Sequence, residues 1–210
     1  MRKFGFLVLA ISFAVFGLSA CKKKVKTEYI APGSTVVVIG DSITAAYGYN
    51  RDKSWVNILA KSTNWNVINA GISGDTAREA KNRIVPLLEQ HNPQAVIIEL
   101  GGNDMLGGAS NNEISENLRE LIHQVKLVDA IPILIAVPKP SAFGQIVSFL
   151  SDADFYEKLA EEENVILIED AISSVLSDKD LRLDNLHPNE AGHIILGNKV
   201  VAQIKELNLF

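Results

Sequence analysis

The chain has 210 residues, 47% of them hydrophobic, which allows one domain with a sizeable core and is short for two. A formal net charge of −5 gives no basic footprint for nucleic-acid binding. With a single cysteine in the sequence, no intrachain disulfide can form.

The first twenty residues differ from the rest. Arg2 and Lys3 precede the apolar run FGFLVLAISFAVFGLSA, which ends in small residues immediately before Cys21. Charged, apolar and small-residue regions in that order make a secretory signal. The stretch LSAC, Leu18 to Cys21, also resembles the bacterial lipobox, whose cysteine becomes the lipid-modified N-terminus after cleavage. An uncleaved anchor is the competing reading, because the run approaches the lower limit for spanning a bilayer. We therefore expect a lipoprotein signal peptide over 1–20, a lipid-anchored basic linker over 21–34, and a folded domain over 35–210. One acyl chain holds a protein only marginally, and the lipobox resemblance implies several on Cys21. Cleavage leaves 18 basic residues against 25 acidic ones, a formal charge of −7. Lys22, Lys23, Lys24 and Lys26 then lead the chain, either against anionic head groups or as a solvated spacer. The expected location is the exported, membrane-anchored cell envelope. Lys22 is not an acidic retention signal, which tilts the expectation towards an outer membrane.

From Thr35 onward, strand-like and helix-like patterns alternate. TVVVIG (35–40) is followed by a helical pattern over 54–62, NVINAG (66–71) by one over 75–91, and AVIIELG (95–101) by one over 112–128. IPILIAV (131–137) and NVILIE (164–169) read as strands, with helical patterns over 152–163 and 189–207. Pro86 is expected to kink or divide the second helix. Near-continuous aliphatic strands are those of a parallel sheet buried on both faces. The alternation points to a doubly wound α/β fold with five parallel strands. Ligands bind such sheets at the carboxyl ends of the strands, near a switch in strand order.

Glycines and small polar residues collect at those ends. Gly40-Asp41-Ser42 follows the first strand, NAGISGD with Gly71 and Gly74 closes the second, and GGND (101–104) follows the third. LDNLHPNEAGH, with Asp184 three residues before His187, lies near the C-terminus. Singly, each reads as an ordinary turn or helix cap. Together they supply an acyl-transfer site. A serine hydroxyl needs a base to take its proton, and histidine suits that near neutral pH. The histidine needs a carboxylate on its other nitrogen to fix the tautomer. An oxyanion needs preorganised donors, each worth about 2.7–4 kcal/mol of barrier. The Ser42 and Gly71 N–H groups and the Asn103 amide are the candidates.

GDSIT, NAGISG, GGND and DNLHP match, in order, the four sequence blocks of the SGNH hydrolases, also called the GDSL esterase/lipase family. The chain resembles in particular the bacterial thioesterase I/lysophospholipase L1/arylesterase subgroup, through NAGISGDTA and IIELGGNDML. The resemblance spans about Thr35 to Leu207 and implies a flavodoxin-like three-layer α/β/α sandwich. It implies Ser42 as nucleophile, His187 as base and Asp184 as its orienting acid. It also implies an oxyanion hole from Ser42, Gly71 and Asn103, with no cofactor and no metal. Ile43 stands where many members have leucine, a change of packing rather than chemistry. The implied activity is a serine esterase acting on short- to medium-chain acyl esters, thioesters or lysophospholipids through an acyl-enzyme. The partners expected are a small-molecule acyl ester or lipid and a membrane through Cys21, with no nucleic acid and a monomeric chain. Carbohydrate O-deacetylation is the rival reading, and a non-catalytic binding lipoprotein on the same fold is a second. A phospho-acceptor receiver domain fails, because GGND offers no acidic acceptor pocket and the chain carries an export signal.

The remaining polar residues are expected in structural roles. Asp41, Asp75 and Asp104 suit loop hydrogen bonds and helix caps better than a metal cluster. His91 and His123 fall on helical patterns as surface residues, and His193 is expected in a solvent or capping role. Ser73 and Thr76 are expected to stabilise the loop of the second block. Phe143 and Phe149, in the aperiodic stretch 137–149, are candidate acyl contacts.

Overall fold

The structure is a computed structural model that describes residues 27–139 and 149–210. Its strands are β1 (Thr35–Gly40), β2 (Asn66–Gly71), β3 (Ala95–Glu99), β4 (Ile131–Ile135) and β5 (Ile166–Ile168). They form one sheet in the order β2-β1-β3-β4-β5, every pair parallel. β1 lies inside the sheet, and its run Val36–Ile39 has no solvent exposure. β2 occupies an edge, which is where a strand carrying Asn66 and Asn69 is tolerated.

The helices are α1 (Trp55–Thr63), α2 (Ala77–His91), α3 (Gly102–Leu106), α4 (Asn111–Leu127), α5 (Phe155–Glu163), α6 (Ala171–Ser177) and α7 (Glu190–Glu206). Capping residues mark several starts. Ser54, Ser110 and Asn189 each accept from a backbone N–H three residues on. Thr76 and Glu79 close a reciprocal capping box on α2. Each cap satisfies donors that have no partner within the helix. α1, α5 and α2 end on Asn64, Asn164 and Asn92 in the left-handed conformation, which asparagine tolerates better than most residues. Each helix turns an aliphatic stripe inward, as with Ile84 and Leu88 of α2 and Ile114, Leu118, Leu121 and Val125 of α4. α1 packs with α7 and α2 with α4, and helices cover both sheet faces as the alternation predicts.

The structure departs from the sequence reading in three places. α2 runs unbroken through Pro86. Proline removes one bond to the carbonyl four residues back, here Asn82, and both residues are exposed, so water can solvate that carbonyl. α3 and α6, of five and seven residues, are too short for a periodicity reading to find. Packing also begins ahead of Thr35: Ile30 is 1% exposed, its N–H donates to Leu209 O at 2.7 Å, and its carbonyl accepts from Trp65 Nε1 at 3.0 Å. The segments 1–20 and 21–26, Cys21 among them, lie outside the described residues.

α7 is seated by a close approach. A Cβ on Gly192 would run into the carbonyl oxygen of Leu181 and touch Pro188, so only glycine lets the helix start against the turn before it. Gly192→Ala is expected to lower stability by about 1–3 kcal/mol, the usual cost of overpacking. Urea unfolding checks it; an unchanged midpoint would mean that this contact does not seat the helix.

Candidate active site

β1 has β2 on one side and β3 on the other, so the chain winds outward in opposite directions from this pair. That switch point opens a crevice at the strand ends. A cavity of about 590 Å³ lies there, lined among others by Ser42, Gly74, Asn103 and His187. Gly40 and Glu99 stand in register, so the GDS and GGND segments emerge side by side.

Ser42 sits in a tight turn, closed by Ala45 N–H to Asp41 O (2.9 Å) and Tyr47 N–H to Ser42 O (2.9 Å). Its Oγ is 2.9 Å from His187 Nε2. On the other side of the imidazole, His187 Nδ1 is 2.9 Å from both carboxylate oxygens of Asp184. The Leu186 and His187 N–H groups also donate to Asp184 Oδ1, at 2.8 and 2.9 Å. Partial burial alone would raise the Asp184 pKa. The His187 ring, these N–H groups and the charge of His187 outweigh burial and hold it below the usual carboxylate value. An ionised Asp184 accepts only, so the proton of neutral His187 belongs on Nδ1 and Nε2 is left to accept from the serine hydroxyl.

The loop that carries this pair is a small closed unit. Arg182 and Pro188 form an antiparallel bridge. Leu183 N–H donates to His187 O at 2.8 Å, and Asn189 N–H to Leu181 O at 2.9 Å. Asn189 also caps α7, so one residue fixes both the loop and the helix. The Tyr47 ring lies tilted against the His187 ring, with centroids 4.7 Å apart.

The second block requires a correction. Gly71 ends β2, and the space beside its Cα is filled by the Thr44–Ala45 backbone. Its N–H donates to Asn69 Oδ1 at 3.0 Å, while Asn69 Nδ2 donates to Thr44 O at 2.8 Å. Gly71 is a packing glycine and takes no part in the cavity lining. Gly74, with φ +84, lines the cavity together with Ser73. Spacing alone does not decide between two glycines three residues apart. The strand runs through Gly71 before the loop turns towards the site.

Asn103 belongs to α3, and its Nδ2 donates to Asp75 O (3.0 Å) and Asp41 Oδ2 (3.2 Å). Gly101 before it has φ +122, and a Cβ there would meet the Tyr156 hydroxyl, which donates to Leu100 O at 2.6 Å. The three aspartates have the structural roles expected of them. Asp41 Oδ1 accepts from Ile43 N–H (2.9 Å), and Asp104 Oδ2 accepts from Ala77 N–H at the start of α2 (2.8 Å). Asp75 pairs with Arg83. Among the described residues no group of three or more His, Cys, Asp or Glu is arranged to hold a metal ion.

His193 is not at the surface. It is 1% exposed, edge-on to Tyr49 at 6.2 Å, and burial lowers its pKa to about 4. His123 is exposed and pairs with Glu163. Thr76 caps α2 as expected. Phe143 lies outside the described residues. Phe149 is 88% exposed and is not part of the lining, where its neighbour Leu150 stands. The sequence reading missed Tyr47, Leu106, Leu176 and Leu186 in the wall. Of these, Leu186, inside DNLHP, and Leu106, at the end of IIELGGNDML, stood in motifs that pointed to the site.

Residues 38–195 match the GDSL-like lipase/acylhydrolase family. Thioesterase 1/protease 1/lysophospholipase L1 of Escherichia coli K12 is 32% identical over 182 residues, covering 84% of this chain and 86% of that protein. The arylesterase of Vibrio mimicus is 35% identical over 159 residues, covering 73% and 79%. The crystal structure of TesA superposes with a TM-score of 0.73 at 30% identity, covering 82% of this chain and 99% of that one.

Arg83 ties the loops behind the site together. It pairs with Asp75, whose side chain is 5% exposed, and donates to Ala70 O at 2.7 Å and Gly40 O at 3.4 Å. Burial raises the Asp75 pKa despite this partner. Arg83→Ala leaves that carboxylate buried and unpaired, and is expected to cost about 3–5 kcal/mol. Adding Asp75→Asn should recover part of the loss by removing the charge. Urea unfolding of the single and double variants tests this, and no recovery in the double variant would rule out the unpaired charge as the cause.

Proposed function

The chain belongs to the GDSL-like lipase/acylhydrolase family, and from that premise we propose a serine esterase in which Ser42, His187 and Asp184 carry the reaction. The observation that carries the reading is the continuous chain of contacts from Ser42 Oγ through the imidazole to Asp184, each 2.9 Å long. Ser42 Oγ attacks the ester carbonyl carbon as His187 Nε2 takes its proton. The imidazolium is stabilised by Asp184. The tetrahedral oxyanion is received by the Ser42 and Gly74 N–H groups and by the Asn103 amide, which turns one of its two N–H groups from Asp75 O or Asp41 Oδ2 towards it, with Gly74 in the part first expected of Gly71. Collapse of the intermediate expels the alcohol, which leaves with the proton from His187, and the acyl group remains on Ser42. Water then attacks the acyl-enzyme with His187 again as base, releasing the acid and restoring the serine.

The substrate proposed is a short- to medium-chain acyl ester, with thioesters and lysophospholipids in the same class. Ile43, Leu106, Val137, Leu150, Leu176 and Leu186 in the cavity wall support an acyl chain as the buried part. All the catalytic groups come from one chain, which supports a monomer. We also propose that the chain is exported and anchored through lipid on Cys21. The LSAC sequence after an apolar run supports this reading.

Two tests follow. On p-nitrophenyl esters of graded chain length, Ser42→Ala should lose nearly all turnover, and Asp184→Asn should lower kcat by about 10³–10⁴-fold by favouring the wrong imidazole tautomer. Full activity in Ser42→Ala would end the mechanism. Cys21→Ser should leave the membrane fraction or remain unprocessed; normal processing with membrane retention would sink the anchor.

A further inference from the structure

Beneath the reacting groups lies a pair of acids that the mechanism does not use. Asp41 is 4% exposed and Glu99 has no exposure. Glu99 ends β3 in register with Gly40, and an added Cβ on Gly40 would collide with Thr44 and crowd Glu99 Oε2. Glycine at position 40 therefore leaves room for an acid beneath the turn of the nucleophile. Thr44 Oγ1 donates to Glu99 Oε2 at 2.7 Å, while Glu99 Oε1 is buried with no N–H or hydroxyl donor. Asp41 follows the Gly40 that stands in register with Glu99, so the two buried carboxyls are neighbours. Two carboxylates are acceptors only, so a hydrogen bond between them requires a proton. Asp41 spends its remaining capacity on the site, accepting from Ile43 N–H through Oδ1 and from the Asn103 amide through Oδ2.

We propose that Glu99 is a positioning residue, held as a neutral acid, whose proton keeps Asp41 aimed at the Ile43 N–H and the Asn103 amide and so fixes the oxyanion donors. The inference rests on the esterase reading for its kinetic consequences. The surrounding charges favour the neutral acid. Asp75, from the loop before α2, adds negative charge to Asp41. Tyr156 of α5 feels both acids together with Asp104 of α3. The Ile43 N–H, the neighbouring Glu99 and, less strongly, His187 from the loop before α7 favour ionised Asp41. Arg83 of α2 is engaged with Asp75 and two backbone carbonyls. Burial and the Asp41 charge push the Glu99 pKa well above the usual range, and burial raises that of Asp41 to about 6.

The test compares the full chain with Glu99→Gln and Glu99→Leu. Glutamine keeps a neutral donor for Asp41 and an acceptor for Thr44, and leucine keeps neither. Expected on p-nitrophenyl butyrate is a kcat within about threefold of wild type for Gln. For Leu, kcat should fall by about 10²-fold with KM within about twofold, as for a misaligned oxyanion donor. Asn103→Ala should cost far less in the Leu background than in wild type, because its donor is already displaced. Wild-type kcat should fall at alkaline pH as Glu99 ionises beside Asp41, and that limb should be missing in Gln. Equal kcat losses in Gln and Leu, additive Asn103 effects, or an unchanged alkaline limb in Gln would each overturn the proposal. If Glu99→Leu does not fold, the Gln pH profile decides.

Urea unfolding against pH tests the shared proton without any activity. A raised pKa in the folded state means that stability falls as pH climbs from the ordinary glutamic acid value towards the folded one. Wild type should therefore lose stability more steeply than Glu99→Gln as pH rises above the ordinary glutamic acid value, and equal slopes would overturn the proposal. Absence of esterase activity in wild type would overturn the esterase reading and leave this second measurement to judge the proton.

Discussion

The pairing of β1 with β3 sets where every other part of the site must go. Two parallel strands side by side, with the chain departing from them in opposite directions, leave a gap at their carboxyl ends that no crossover helix covers. Into that gap the sequence delivers a turn carrying Ser42 and a short helix carrying Asn103. Because Gly40 and Glu99 share a register position, those segments cannot shift against each other without breaking the centre of the sheet. Strand burial on both faces makes such a slip costly. The rigidity of Ser42 and Asn103 is thus borrowed from the core.

The other partners reach the gap from the flanks. α2 contributes Arg83, which gathers Asp75 and the carbonyls of Ala70 and Gly40. α7 contributes Asn189, which closes the loop bearing Asp184 and His187. Asp184 and His187 therefore arrive as one preassembled unit beside a serine held by the sheet. Such an arrangement lowers the reorganisation needed at the moment of reaction.

Much of this was legible in the sequence, for physical reasons that differ by residue. The strands were readable because burial on both faces leaves a continuous aliphatic signature. Ser42, Asn103, Asp184 and His187 were readable because polar groups at strand ends have few other reasons to occur together. Gly71 misled because two glycines in one loop differ only in which faces the cavity, and a strand boundary decides that. His193 misled for another reason. It falls in the spacing of Leu196, Gly197, Val200 and Ile204, all buried on α7, so the inward stripe included it, but a histidine is read by habit as polar. The cavity wall was the least legible, since Tyr47 and Leu176 are ordinary apolar residues until the backbone brings them to the site.

Ser42 and His187 are 145 residues apart in the chain, and Ile30 is bonded to Leu209, so the two ends of the domain close on each other. Contacts that span most of a chain form late, because the loop they close must first be ordered. Ser42 and His187 meet only once the loop before α7 has closed back on the end of β1. A chain still emerging from the ribosome holds Ser42 but lacks the His187 that it touches in the fold. The appearance of hydrolytic activity during refolding therefore marks completion of the fold.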